Sequence, residues 1–92
     1  MDQDDKEKIY KLLEVKLERL LAMSASHLGA ASKCQADEFI EHREYGLALE
    51  EIAHGMSEAG ERVSVDLVKA VKELAQMMEM DTLPLTENLR TV

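Results

Sequence analysis

The side chains of this 92-residue chain that could do chemistry are three histidines, one cysteine and a central group of acids. Glu51 and His54 stand three positions apart, which is the Glu-x-x-His spacing of carboxylate di-metal helix bundles. Such a site needs a second Glu-x-x-His element and two more inward-facing carboxylates, and the sequence holds no second copy. A homodimer could supply one, so a small metal-binding bundle stays as the weaker alternative to a surface Glu and His.

Cys34, His27 and His42 are the remaining candidates for metal or nucleophilic chemistry. Structural zinc sites need closely paired ligands such as C-x₂₋₄-C, and no such pair occurs here. A Cys–His nucleophile pair is conceivable, but a single cysteine in an Ala- and Ser-rich stretch favours inert packing. No P-loop, Gly-rich fingerprint or Ser-x-x-Lys motif is present. We therefore predict no enzymatic activity, no catalytic residue, no cofactor and no metal.

The net charge of −8 comes almost entirely from one central stretch. Residues 1–36 hold six acids and six bases, and residues 62–92 hold five acids and four bases. Residues 37–61 hold eight acids and a single base, Arg43. A field this concentrated repels phosphate backbones and anionic membranes, and it attracts basic proteins. We expect no direct binding to nucleic acid or membrane, and a basic protein as the partner.

Length and composition predict one small helical domain. A 92-residue chain is too short to divide into domains, and only 3% of its residues are aromatic, which argues against a β-sandwich. The core must come from Leu, Ala, Val and Met, most of which favour helices. The N-terminus is acidic where a signal peptide would be basic, and no apolar run approaches about 20 residues. The sequence thus predicts a cytoplasmic protein whose residues 1–92 form one domain, with 1–4 and 86–92 able to fray.

Apolar periodicity predicts four helices, near residues 5–28, 36–42, 44–58 and 64–80. The first has apolar residues at helical spacing, namely Ile9, Leu12, Leu13, Leu17, Leu20, Leu21 and Leu28. Gly29 is a candidate for the residue that ends it, and Ser64 is a candidate N-cap for the last helix. Residues 30–36 fit either a loop or a continued first helix. Pro84 prevents further helical continuation. The fold class is therefore all-α, a compact bundle of about four helices.

The third helix shows the strongest functional pattern. Its apolar residues Tyr45, Ala48, Leu49, Ile52 and Met56 fall within about 60° of one another and predict the buried side. The opposite side carries acids, His54 and, near its centre, Leu47. An ordinary solvated helix face intersperses both charge signs and can also hold one stray Leu. An acidic rim around an apolar residue instead fits a docking surface for a basic partner.

Met77, Met78 and Met80 cluster at the end of the last predicted helix. Methionine-rich grooves can bind partner helices, and methionine is also an adaptable core residue. Core filling is the favoured interpretation, and the region from Met77 to Leu85 is a competing partner site.

Residues 37–52 resemble a short signature of small all-helical immunity proteins. The run is Asp37-Glu38-Phe39-Ile40-Glu41-His42-Arg43-Glu44-Tyr45-Gly46-Leu47-Ala48-Leu49-Glu50-Glu51-Ile52. The family, which includes the MafI-type group, belongs to bacterial polymorphic toxin and contact-dependent growth inhibition systems. The resemblance covers about residues 37–80 and not the first 30. Arg43 stands where the family pattern usually has a glycine that ends the preceding helix in the left-handed conformation.

The resemblance implies a protein that binds and blocks a cognate cytoplasmic toxin, often a basic ribonuclease. A helical dimeric adaptor without a toxin partner is the main alternative, and a homodimer is compatible with either function. We predict that the partner binds one surface, here called the acidic face, which consists of Glu38, Glu41, Glu44, Leu47, Glu51, His54 and Glu58.

Overall fold

A computed structural model describes residues 3–92 of the chain, and the predicted fraying of residues 1 and 2 lies outside this part. The elements are α1 (Gln3–Met23), a 3₁₀ turn (Ala25–His27), α2 (Ala30–Glu41), α3 (Tyr45–Ala59), α4 (Val65–Met77) and the short α5 (Leu83–Thr86). Four of these are long helices, and the described residues form no strand. The predicted all-α bundle of about four helices is confirmed.

The first helix ends at Met23, so the predicted end at residue 28 is wrong. The buried Ser24 donates its hydroxyl hydrogen to the carbonyl oxygen of Leu20 at 2.7 Å, and a 3₁₀ turn follows. Serine competes in this way with the backbone ladder and favours helix ends. Gly29 has extended dihedrals (φ −72°, ψ 162°) and caps the start of α2 instead of ending α1. Residues 30–36 are therefore helical but belong to a new helix, and the predicted start at residue 36 is also wrong.

Helices α2 and α4 end in the same way, with a non-glycine residue in the left-handed conformation. Arg43 follows α2 with φ 60°, and Glu79 follows α4 with φ 56°. In each case the next amide reaches back to the last turn: Glu44 N donates to Phe39 O, and Met80 N donates to Ala75 O, both at 2.8 Å. This is the Schellman arrangement, which usually has glycine at the left-handed position. Arg43 thus keeps the turn geometry that a glycine would give.

Helix α3 lies at the centre of the bundle and packs against all four other helices. Its predicted buried side is buried, and Ala53 and Gly55 widen it. A Cβ atom added to Gly55 would lie 2.7 Å from Leu28 Cδ2 and 3.2 Å from Ser32 Oγ. Glycine therefore allows α2 and the preceding turn to approach α3 closely. The largest fully buried apolar side chains of the core are Leu17, Leu20, Leu49, Ile52, Met56, Val63, Val71 and Leu74.

The last helix and the C-terminal segment complete the core. The predicted cap at Ser64 is confirmed, since its side chain accepts a hydrogen bond from the Leu67 amide at 3.2 Å. Helix α4 ends at Met77, three residues before the prediction and well before Pro84, which lies in the first turn of α5. Met77, Met78 and Met80 are half-buried against the core, as are Leu85 and Leu89.

The C-terminal residues return to the segment between α3 and α4. Val63 N donates to Arg90 O at 2.8 Å, and Val92 N donates to Val63 O at 3.0 Å, which makes an isolated parallel bridge between Val63 and Thr91. Residues 90 and 92, which lie in the C-terminal part of the predicted frayed segments, are therefore held by backbone hydrogen bonds. Among the described helices, none combines the length and apolar character that crossing a bilayer requires.

Candidate partner-binding surface

The acidic face lies on the hairpin formed by α2, the turn at residues 42–44 and α3. Six of its seven members are exposed, and Glu51 is half-buried. Leu47 is 46% exposed among them, so its aliphatic side chain is available for contact. Burial of a leucine against a partner removes apolar surface from water, which favours association. The hairpin therefore presents an apolar residue within an acidic surround.

Most carboxylates of the acidic face have no partner within the described part of the chain. His54 Nε2 lies 3.2 Å from Glu58 Oε1, one turn away, and both side chains are exposed to solvent. The side chains of the other four acids make no hydrogen bond or ion pair with described residues: Glu38, Glu41, Glu44 and Glu51. Unpaired acids on one hairpin repel each other at low salt, and a cationic partner would relieve that repulsion.

Arg43, the one base of residues 37–61, points away from this surface and toward α1. Its guanidinium donates to both carboxylate oxygens of Glu7, at 3.0 and 3.3 Å, and lies 5.3 Å from the centroid of the Tyr10 ring. The Glu7 hydrogen bond and charge raise the pKa of Arg43. The only cation of the central stretch is thus already paired, and the acids on the hairpin stay uncompensated.

A second polar contact joins the hairpin to α1. The Tyr45 hydroxyl donates to Glu14 Oε1 at 2.6 Å, and the Tyr45 ring is almost completely buried. Burial, then the hydrogen bond to the Glu14 carboxylate, raises the pKa of Tyr45 to about 12. Tyr45 and Tyr10 also contact each other with ring centroids 5.8 Å apart. These contacts hold the start of α3, where Glu44 is the N-cap residue and Leu47 lies in the first turn.

An open groove of about 460 Å³ runs beside the acidic face, between α3 and residues 80–88. Glu50, Ala53 and His54 line it on the α3 side, and Asp81 and Leu85 are among the residues on the other side. Sequence reasoning missed this groove because it depends on where the C-terminal segment folds back. The only sequence pattern that pointed to this region was the cluster of methionine and leucine residues from Met77 to Leu85. That pattern predicted a competing partner site but not its position next to α3.

The candidates for metal or nucleophilic chemistry are not brought together. Among the described residues, no three His, Cys, Asp or Glu side chains gather in a way that could hold a metal ion. His54 pairs with Glu58 and not with Glu51, and His27 Nδ1 lies 3.0 Å from Glu61 Oε1. Cys34 is exposed, so its interpretation as a packing residue is wrong.

Helix α1 has an exposed side, here called the outer face of α1, on which bases outnumber acids. Its apolar members are Ile9, Leu12, Val15 and Met23, and its charged members are Lys8, Lys11, Glu18 and Arg19. Ile9 and Leu12 were predicted to face the core and do not, because Leu13, Leu17 and Leu20 occupy that position. The outer face was not anticipated from the sequence.

Compared with known proteins, the chain matches no family, no curated protein and no solved structure. The resemblance of residues 37–80 to small immunity proteins therefore stays a prediction from the sequence.

Proposed function

We propose that this protein is a cytoplasmic immunity protein that binds and occludes a cognate toxin, a basic nuclease, through the acidic face. The single observation that carries the proposal is the set of carboxylates around Leu47 on the hairpin, most of which are exposed and unpaired within the described residues. Nucleic-acid-binding clefts are lined by Lys and Arg, which bind phosphate groups. An acidic protein surface can bind the same Lys and Arg side chains. The protein itself would perform no chemistry.

The mechanism we propose is steric occlusion guided by charge. Unpaired acids on the hairpin accelerate diffusional encounter with a basic cleft, and their contribution fades as salt screens charges beyond about 10 Å at 0.1 M. Leu47 would then be desolvated in the complex, where a central apolar contact slows dissociation. The acids are thus expected to determine the association rate, and Leu47 the dissociation rate. Kinetic measurements can therefore test the two contributions separately.

The test uses the toxin that we expect to be encoded by a gene next to the gene of this protein. We expect the wild-type protein to bind it and to block its nuclease activity. Glu51→Lys combined with Glu58→Lys should weaken binding by more than tenfold, mainly through slower association, and the salt dependence of the association rate should flatten. Circular dichroism should show an unchanged helical fold, since surface substitutions rarely cost more than about 0.5 kcal/mol.

The matched control reverses two charges on the outer face of α1. Lys8→Glu combined with Lys11→Glu changes the net charge by the same amount in the opposite direction. Because these residues lie away from the proposed contact, we expect only a general electrostatic effect, with the affinity staying within about threefold of wild type. Equal loss of binding in both double variants, or unchanged affinity and a flat salt response in the first, would contradict the proposed surface.

A second candidate function is a helical dimeric adaptor, and the outer face of α1 is the observation that favours it. The outer face of α1 has four large exposed apolar side chains, and Val15 among them is 53% exposed. The hairpin has one, Leu47. Sedimentation equilibrium and toxin binding together distinguish the two functions. An adaptor would dimerise and bind no toxin, and Val15→Glu would convert the dimer to a monomer.

A further inference from the structure

The groove between α3 and residues 80–88 is lined by both acidic and apolar side chains. Each side contributes one acid, Glu50 from α3 and Asp81 from the segment after α4. The apolar lining includes Ala53, Met80 and Leu85. The volume of about 460 Å³ lies in the range of ligand pockets, and the groove is open to solvent.

We infer that this groove binds one cationic aliphatic side chain, an arginine or a lysine, of the partner protein. Such a side chain has an apolar stem and a charged head, so it covers apolar surface while its head stays beside carboxylates. The apolar lining fits the stem, and Glu50 and Asp81 provide the carboxylates for the head. An anionic or a purely apolar occupant would leave both acids unpaired or repelled, at a cost in desolvation.

The charges around the groove support this choice of occupant. No Lys or Arg lines it, so no described base competes with an incoming cation. His54, also at its edge, is already 3.2 Å from Glu58. Asp81 accepts a hydrogen bond from the Leu83 amide at 3.2 Å through one oxygen, and this contact holds the carboxylate at the start of α5. Glu50 makes no hydrogen bond or ion pair with described residues.

The groove adjoins the acidic face through His54 and Glu50, which stand on the same exposed side of α3 as Leu47. A partner seated on the acidic face can therefore place one of its basic side chains in the groove. The inference rests on the proposed function only for the identity of the protein that supplies the side chain. The chemistry of the groove itself can be measured without that protein.

The experiment titrates the ¹⁵N-labelled protein with N-acetyl-arginine amide and follows backbone amide shifts by NMR. We expect saturable shifts that cluster at Ala53, Ser57, Met80 and Leu85, with a dissociation constant on the order of millimolar, as suits a ligand of this size. N-acetyl-lysine amide should give the same pattern. N-acetyl-glutamine amide and N-acetyl-leucine amide are the neutral controls, and they should give shifts at least tenfold weaker at equal concentration.

Two matched variants locate the site. Glu50→Gln combined with Asp81→Asn should weaken arginine-amide binding at least tenfold, and the new asparagine side chain can still accept the Leu83 amide through its oxygen. Glu79→Gln combined with Glu87→Gln makes the same charge change on acids that do not line the groove, and it should have little effect. Shifts scattered over the whole acidic surface, equal shifts from the neutral controls, or equal losses in both variants would overturn the inference. These outcomes do not depend on toxin binding, so they are distinguishable from failure of the proposed function.

Discussion

The hairpin of α2 and α3 and the outer face of α1 each expose apolar side chains among charged ones, but the charges have opposite sign. The hairpin surrounds Leu47 with unpaired acids, while the outer face of α1 surrounds Val15 with Lys8, Lys11 and Arg19 and only one acid, Glu18. Composition alone does not produce this contrast for α1, because residues 1–36 hold equal numbers of acids and bases.

The contrast arises where the two regions touch. Glu7 and Glu14 of α1 turn toward the hairpin and bind Arg43 and Tyr45. These contacts pair the only base of residues 37–61 with an acid of α1, although both side chains stay about half exposed, and they direct Glu14 toward Tyr45. One set of contacts therefore leaves the acids of the hairpin without their base and the bases of the outer face of α1 without these two acids. The net charge of a sequence segment therefore predicts the charge of the surface it forms only when the ion pairs between segments are known.

The largest effect we expect concerns the packing that supports the hairpin. Gly55→Ala places a Cβ atom 2.7 Å from Leu28 Cδ2 and close to Ser32, so the overlap should outweigh the better helix propensity of alanine and destabilise the fold by about 2 kcal/mol. Gly46→Ala is the matched control in the same helix, because its Cβ would meet only Met80, with the Sδ atom at an ordinary 3.6 Å.

Urea denaturation of both glycine variants measures the difference. We expect Gly46→Ala to be neutral or to stabilise by about 0.5 kcal/mol, since alanine restricts the unfolded chain. A Gly55→Ala variant as stable as wild type would mean that the side chains of Leu28 and Ser32 can turn away from the added methyl group, and that this contact does not limit how closely α2 approaches α3.

The second prediction compares the apolar centres of the two faces. Leu47→Ala should weaken toxin binding by about 1–2 kcal/mol through faster dissociation, because the leucine is the apolar centre of the proposed contact. Val15→Ala, the corresponding change on the outer face of α1, should leave both rate constants unchanged. Stopped-flow association and surface-immobilised dissociation on both variants give the comparison. The reverse pattern would transfer the toxin site to α1.

How much of this could be predicted from the sequence differs between the two faces. The α3 pattern of five apolar residues opposite acids predicted the exposure of Leu47, because α3 is surrounded by other helices and only one side stays free. The same reasoning assigned Ile9 and Leu12 to the core, which is wrong. Helix α1 contacts α2, α3 and α4 through one side, and it carries more apolar residues than that side can hold.

Two other features needed tertiary information. Gly29 is compatible with either the end of one helix or the start of the next. In the structure α1 ends at the buried Ser24, and Gly29 caps the start of α2. The groove beside α3 forms only because residues 80–92 fold back to Val63, and no local pattern indicates that pairing.

The third prediction concerns the tyrosine contact that joins the two faces. The pKa of Tyr45 is raised to about 12 in the folded state from 10 in an ordinary tyrosine. The folded state therefore keeps the proton more tightly, so this contribution to stability is complete below pH 10 and is lost as pH rises through 12. Tyr45→Phe should lower stability by about 1 kcal/mol at about pH 7 and remove the steep loss at alkaline pH.

Spectrophotometric titration checks that assignment directly. Tyr10→Phe leaves Tyr45 as the only tyrosine, and its phenolate absorbance should appear with a midpoint of about 12. Tyr10→Phe combined with Glu14→Gln should lower the midpoint while burial remains. A midpoint near 10 in the first variant, the ordinary tyrosine value, would show that Tyr45 is solvated and that the contact with Glu14 does not hold the hairpin.

The smallest effect we expect separates the two left-handed helix ends. Glu79→Gly removes the strain of a non-glycine residue at φ 56°, and Glu79 makes no hydrogen bond or ion pair with described residues, so stability should rise by about 0.5–1 kcal/mol. Arg43→Gly removes the same strain at φ 60° but loses the exposed pair with Glu7 and the contact with the Tyr10 ring.

The two terms at Arg43 should nearly cancel, so Arg43→Gly should leave stability unchanged or slightly lower. For a domain of this size a gain of about 1 kcal/mol raises the melting temperature by about 4–8 °C, which differential scanning calorimetry resolves. If Arg43→Gly stabilises the protein as much as Glu79→Gly does, the Glu7 and Tyr10 contacts contribute nothing. The attachment of the hairpin to α1 would then depend only on Tyr45 and the buried leucines. If Arg43→Gly destabilises the protein, Arg43 also stabilises the packing of the hairpin against α1.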